Sequence, residues 1–176
     1  MYLLNNEGDM PISLSALRDH CRIIGDDFDS QLTRAYYAAA YDIERRSSLL
    51  LRPCGVRVTL RGGSALQGFV LPVGPADTAS VVINDGDGAA VSGWYVDPNR
   101  PEPSICIEDM SQFVSDVTYT LTYNAGLAAI PNDLMVAVLE LAAHHFENRE
   151  ATAPIQLNAV PSSVWSIVAN YGRAKV

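Results

Sequence analysis

Apolar positions along the chain change spacing twice, and the changes divide it into helix-like, strand-like and again helix-like stretches. Ser13 is placed to cap a short helix over 14–22, with Leu14 and Leu17 on its apolar face and Cys21 one turn on. Gly25 then breaks the pattern. Asp26 and Asp27 follow as candidate N-caps, since a carboxylate there accepts from free N–H groups and faces the positive end of a helix. Phe28, Leu32, Ala35, Ala39 and Ile43 form one helical stripe and predict a second helix over 28–47. Tyr36, Tyr37 and Tyr41 flank that stripe. Tyrosine gives wide apolar contact with a polar tip, which suits packing and interface edges alike. Arg45 and Arg46 close the helix with the charge its C-terminus favours.

From about residue 49 the period shortens. Residues 56–60 (VRVTL) alternate as a half-buried strand does. The β-branched run 81–83 stops at Asn84, Asp85, Gly86, Asp87 and Gly88, residues that tolerate the positive φ of tight turns, so 91–96 reads as a return strand. Pro98, Pro101 and Pro103 mark a loop, 105–107 a short strand, and 117–123 (VTYTLTY) a long one. Pro131 precedes a third helix over 132–148, for which Asn132 or Asp133 is the candidate cap. Its segment LMVAVLELAAHHF is apolar nearly all round, so it must be buried by its own domain or by a neighbouring subunit. Pro154 and Pro161 punctuate the last stretch, which ends in a short helix over 162–170 and a basic tail. The expected class is α+β: a helical body of two N-terminal helices and a buried C-terminal helix, with a β-rich insert in the middle. The expected parts are 1–50 (helical), 51–126 (β insert), 127–152 (helix completing the body) and 153–176 (tail).

Composition changes this picture little. Of 176 residues, 48% are hydrophobic and 18% charged, enough apolar material for a core. The longest apolar run, 134–143, is broken by Glu140 and too short to span a bilayer, and the N-terminus lacks the basic and apolar regions of a secretory signal. A soluble protein made in the cytosol, with no membrane partner, is expected. The net charge of −8 argues against gripping nucleic acid, which needs a basic footprint, but suits DNA passing nearby. Cys21, Cys54 and Cys106 are widely spaced and form no CxxC pair, so small buried or half-buried thiols are expected.

Candidate chemistry is sparse. His144 and His145 are adjacent, so on a helix their rings point about 100° apart and make no metal pair. GxSxG is missing. The glycine-rich 62–68 lacks the Gly-Lys-Ser/Thr ending of a phosphate loop, and Asp85–Gly88 lacks the bidentate Glu of a calcium loop. Glu108 and Asp109 beside the Pro-rich loop read as an exposed turn rather than an acid–base pair. No catalytic group, metal or other cofactor is implied, and an enzyme is not expected.

Three stretches carry a resemblance. They are the short helix, acidic break and Ala-rich helix of SLSALRDHCRIIGDDFDSQLTRAYYAAAYDIERRSS (13–48); the strand-to-helix run VTYTLTYNAG (117–126) into IPNDLMVAVLELAAHHFENREA (130–151); and the C-terminal VPSSVWSIVANYGRAKV (160–176). In order and spacing the chain resembles the head–tail adaptors (head–tail connectors) of tailed phages and gene transfer agents, the middle matching only loosely. The resemblance implies a ring-forming structural subunit, dodecameric in the family, that sits in the particle neck. Such a ring binds the portal, extends the DNA channel without binding DNA specifically, and docks the tail stopper or terminator. It also implies roles. Trp165, Ile167, Val168, Tyr171 and Arg173 would reach the portal; the competing reading is that Trp165 and Ile167 fold back on their own core. Tyr36, Tyr37, Tyr41, Glu147, Arg149 and Glu150 would lie between subunits. Two rival readings stand beside it. A stopper or terminator ring would be mostly β, with little helix at the start. A small enzyme or ligand-binding module would show titratable groups converging in a pocket of the β insert.

Overall fold

The fold follows the two periods. In the computed structural model the described residues are 2–5 (backbone only), 11–62, 66–97, 102–148 and 162–171. They form the mixed α+β protein expected, in the order β1 (Tyr2–Asn5), α1 (Leu14–Cys21), α2 (Asp29–Ser47), β2 (Cys54–Arg61), β3 (Ala76–Asn84), β4 (Trp94–Asp97), β5 (Ser104–Ile107), β6 (Thr118–Ala125), α3 (Asn132–Glu147) and α4 (Ser162–Tyr171). The chain divides into two compact units. One comprises Met1–Gly8 and Arg52–Ala128, the other Asp9–Leu51 and Ala129–Val176.

The helical unit is built on the α2 stripe. Leu32, Ala35, Ala39 and Ile43 are buried as their spacing predicts, and Tyr36, Ala40 and Ser47 join them. Each fully buried Leu or Ile side chain contributes about 1.5–3 kcal/mol. On α3 the buried set is Leu134, Ala137, Val138, Leu141 and Ala142, while Val136 remains exposed, so the helix is covered on one side rather than all round. The capping differs from expectation. No side chain caps α2 or α3, whose N-caps are Phe28 and Pro131. Instead Asp29, in the first turn of α2, receives a forked bond from Arg18 of α1, with Nε to Oδ1 at 2.7 Å and Nη2 to Oδ2. That bidentate pair joins the two helices and holds the Asp29 carboxyl below its ordinary range. At the other end of α2, Ser47 Oγ donates to the Ile43 carbonyl (2.7 Å) and accepts from the Leu49 N–H (3.2 Å), leading into the buried Leu49, Leu50 and Leu51.

Helix α4 docks on this unit through Val164 and Val168, one turn apart and both buried. Two polar ties flank them. The Arg46 guanidinium lies over the Trp165 ring, 4.1 Å from its centroid, and the Tyr171 hydroxyl donates to Asp133 Oδ1 at 2.6 Å.

The β unit is an antiparallel sheet ordered β1-β2-β6-β3. β6 is its clearest strand: Tyr119, Leu121, Tyr123 and Ala125 point inward and are buried, alternating with more exposed neighbours. Two of its tyrosines finish their polar tips inside. Tyr123 Oη accepts from the Val73 N–H (3.3 Å) and donates to the Val73 carbonyl (3.1 Å). Tyr119 Oη accepts from the Val114 N–H (2.9 Å) and donates to the Gln112 carbonyl (3.2 Å).

Two expectations are corrected here. The first residues, expected with the helical part, belong to the β unit because Tyr2–Asn5 pairs with β2 from Tyr2↔Val58 to Asn5↔Gly55. The expected return strand is only a bridge, Asn84↔Ala90, with the Val91 N–H donating to the Ile83 carbonyl at 2.9 Å. Gly93, at φ 79, then turns the chain away, and its carbonyl accepts from Glu108 and Asp109. Trp94–Asp97 pairs with β5 in a separate two-stranded sheet instead. The turn itself is as predicted: Asp85 Oδ1 accepts from the Asp87 and Ala89 N–H groups (3.0 and 2.8 Å), and Gly88 takes φ 87. Residues 63–65 of the glycine-rich loop lie outside the described residues.

Two outcomes follow. Tyr123→Phe leaves both buried backbone groups of Val73 without that partner and is expected to cost about 1–3 kcal/mol of stability, read as a lowered midpoint in chemical denaturation; an unchanged midpoint would refute the account. The α4 dock should depend on pH at both extremes. The Tyr171 hydroxyl holds the Asp133 carboxyl below its ordinary 3.8, and the same bond raises the Tyr171 phenol above its ordinary 10.0. The depressed carboxyl contributes stability above its unfolded value and loses it as pH falls through the folded one; the raised phenol contributes below its unfolded value and loses it as pH rises through the folded one. In a Trp94→Phe background, Trp165 emission should therefore hold from about pH 5 to about pH 9 and change beyond both limits. Adding Tyr171→Phe should remove that pH dependence.

Candidate functional site

The residues predicted to meet partners fall on the helical unit, and burial sorts them. Tyr36 is 2% exposed and belongs to the core; Tyr37 is 43% and Tyr41 64% exposed. Tyr36 lies four residues after Leu32 and three before Ala39, so it continues the buried stripe. Tyr37 turns outward and packs edge-on against Tyr36, ring centroids 5.4 Å apart. Along the same outward face run Arg34, Ala38 and Arg45, all exposed.

The C-terminal residues are sorted in the same way. Val168 is core, while Trp165, Ile167 and Tyr171 are half-buried. Trp165 and Tyr171 are each held by a partner within the unit, as described above. The buried contacts of α4 with its own body are made by Val164 and Val168. Arg173, Arg149 and Glu150 lie outside the described residues. Glu147 is exposed at the end of α3, near Cys21; burial foremost, then the Glu147 charge, pushes the Cys21 thiol above its ordinary value. None of the three cysteines is in a disulfide; Cys54 is buried and Cys21 and Cys106 are half-buried, as expected.

The histidines divide as their spacing requires. The rings of His144 and His145 stand 6.0 Å apart, centroid to centroid, 64° from coplanar. His144 Nδ1 lies 3.2 Å from Asn148 Nδ2, while His145 Nε2 turns to Asp42 Oδ2 at 3.3 Å. Among the described residues no group of three His, Cys, Asp or Glu side chains converges on a metal-sized site, and no helix is long and apolar enough to cross a membrane.

Each unit carries a concavity. In the β unit one of about 610 Å³ is lined by Asp85, Asp87, Gln112, Val117 and Tyr119, among others. The Asp85 carboxylate is engaged in its turn and the Tyr119 hydroxyl in two backbone bonds. In the helical unit a cleft of about 500 Å³ lies between Gln31, Arg34, Ala35 and Ala38 of α2 and His145 and Phe146 of α3, closed by Asn148. Within it, Gln31 Oε1 is buried without a hydrogen-bond partner.

Two features here escaped the sequence reading. Arg34 was passed over because the stripe drew attention to the buried face. Ile24 lies in the α1–α2 connection and is 98% exposed. Its signal was present: Ile23 and Ile24 are adjacent apolar residues before Gly25 that fit neither helical stripe.

No protein-family profile and no curated protein matches the chain. Solved structures do. A chain in the virion of a native gene transfer agent particle is 26% identical, with 99% of this chain and 97% of that one covered and a TM-score of 0.74. A chain in the neck of an empty gene transfer agent particle, computed with C6 symmetry, is 25% identical over the same shares, with a TM-score of 0.76. One in the neck of a native particle, computed with C12 symmetry, is 25% identical over the same shares, with a TM-score of 0.66. End to end, therefore, this chain is similar to structural components of gene transfer agent particles, in two cases of the particle neck.

Proposed function

We propose that this protein is a head–tail adaptor: a subunit that forms a ring beneath the portal, extends the DNA channel and offers a docking surface to the tail stopper or terminator. The observation that carries this reading is the full-length likeness to chains from particle necks computed with six- and twelvefold symmetry. A ring needs a heterologous interface that closes, so each copy must present two different surfaces. The outward face of α2, with Tyr37 and Tyr41, is one; Tyr36 supports it from beneath, and Glu147 at the end of α3, with Arg149 and Glu150 after it in the sequence, sets register. The C-terminal segment is the portal anchor. Trp165, Ile167 and Tyr171 form its half-buried base, Val168 fastens that base to the body, and Arg173 follows it in the sequence. Trp, Tyr and Arg are the side chains that most often dominate binding energy. A chain of net charge −8 lines a channel that DNA crosses without being held. The particle neck is where the protein works, after synthesis in the host cytoplasm.

Native mass spectrometry of the protein mixed with the portal oligomer of the same particle tests this directly. The expected result is a discrete complex with one adaptor per portal subunit. No complex between the two folded proteins would sink the adaptor reading and favour a stopper or terminator ring. Removing residues 172–176, beyond the last turn of α4, should leave the fold intact and weaken portal binding roughly thirtyfold, the effect of losing about 2 kcal/mol at one anchoring side chain. Undiminished binding would remove the tail as the anchor.

A further inference from the structure

The α1–α2 connection and the cleft between α2 and α3 match one another. Arg22 closes α1 at φ 56, the Ile23 N–H donates to the Arg18 carbonyl at 2.9 Å, and Gly25 follows at φ 88. Two left-handed residues two positions from the Ile23–Ile24 boundary carry Ile24 clear of the body, where it is 98% exposed. One exposed aliphatic side chain is ordinary on its own. What distinguishes this one is the cleft: Ala35, Ala38 and Phe146 give it apolar walls, Arg34 a cation at the rim, and Gln31 a buried oxygen without a partner. A docked loop would bring an N–H to that oxygen.

Charge and geometry both favour the match. The connection, residues 22–28, carries Asp26 and Asp27 against Arg22 alone, so its sign is acidic. At the cleft, the exposed Arg34 is the cation presented outward. Asp29 faces α1 through its bond to Arg18, whereas Ala38 lines the cleft. Nine residues at 100° each bring these two to opposite sides of α2, about 180° apart. The α1 side and the cleft side of α2 are therefore different surfaces, as a head-to-tail ring needs, although Phe28 at the end of the connection packs on Phe146 of the cleft wall, ring centroids 6.0 Å apart.

We propose that Ile24 of one copy seats in the α2–α3 cleft of the next, with Asp26 and Asp27 meeting Arg34 around it. The inference rests on the ring reading above and names the two surfaces of its interface. Its test is the yield of complete portal-templated rings, counted by native mass spectrometry and electron microscopy, for wild type, Ile24→Asp, Ala38→Trp, Asp26→Arg/Asp27→Arg, Arg34→Asp, and the last two combined. Circular dichroism should be unchanged for Ile24→Asp, whose side chain is solvent-exposed. Ile24→Asp and Ala38→Trp should each cut ring yield about tenfold or more, as losing a buried apolar anchor does. The combined charge reversal should recover rings that either reversal alone loses. Absence of rings from wild type would overturn the ring reading and this interface with it. Full rings from Ile24→Asp, or a combined reversal no better than its parts, would overturn the interface while leaving the ring reading standing.

Discussion

The β2–β6 ladder is the constraint on which the rest depends. Helices α2 and α3 pack together although residues 52–128 intervene between the two segments of the helical unit. Closing a flexible loop of that length costs about 4 kcal/mol beyond a constant, by the logarithmic scaling of loop entropy. The β unit removes that cost from the helices by bringing its own ends together. Its first long strand pairs with its last in unbroken register from Cys54↔Ala125 to Arg61↔Thr118, so entry and exit are neighbours. Gly126 marks how close they come. It takes φ 118, and a Cβ there would stand 2.0 Å from the Arg52 carbonyl oxygen. Only glycine lets the outgoing chain pass the incoming one at that distance.

Once the ends are fixed, the helical unit is held by complementary devices of different kinds. Apolar burial along α2 and α3 supplies most of the free energy and fixes no register finely. The polar ties do that: the Arg18–Asp29 fork joins α1 to α2, and Asp133–Tyr171 together with Arg46–Trp165 fix α4 at two points. These ties are exposed enough to be screened, so their value lies in geometry more than in stability.

The sequence showed what short-range periodicity controls and concealed what long-range pairing controls. The α2 stripe, the β6 alternation and the Asp85–Gly88 turn were legible because each signal sits within one element. β1 was not: its residues acquire a partner only in β2, some fifty positions away. The fate of 91–97 was equally hidden, because Gly93 sends that segment to β5 and nothing local distinguishes the two pairings. At the assembly surfaces the difficulty was residue type. Tyrosine and tryptophan serve cores and interfaces alike. Counting from Leu32 separates Tyr36 from Tyr37, but the contact of Trp165 with Arg46 joins positions far apart in the sequence and has no local signal. Ile24 was missed because an apolar residue in a connection has no stripe to betray it.

A ring joined by the proposed knob and cleft would assemble only where it is wanted. Burying one isoleucine contributes about 1.5–3 kcal/mol, and two or three rim-exposed charges add roughly 1 kcal/mol or less each. The loss of translational and rotational freedom on pairing costs about 4–15 kcal/mol. Two free copies would therefore separate. Copies anchored side by side on a portal through their C-terminal segments, as proposed, would meet at high effective concentration, and the same weak contact would become sufficient. The acidic charge pushes in the same direction, keeping unanchored copies apart in solution. On the proposed function, weak lateral contacts and a separate anchor would form one device: the portal would supply the concentration that the interface lacks, and the ring would close on the particle rather than ahead of it.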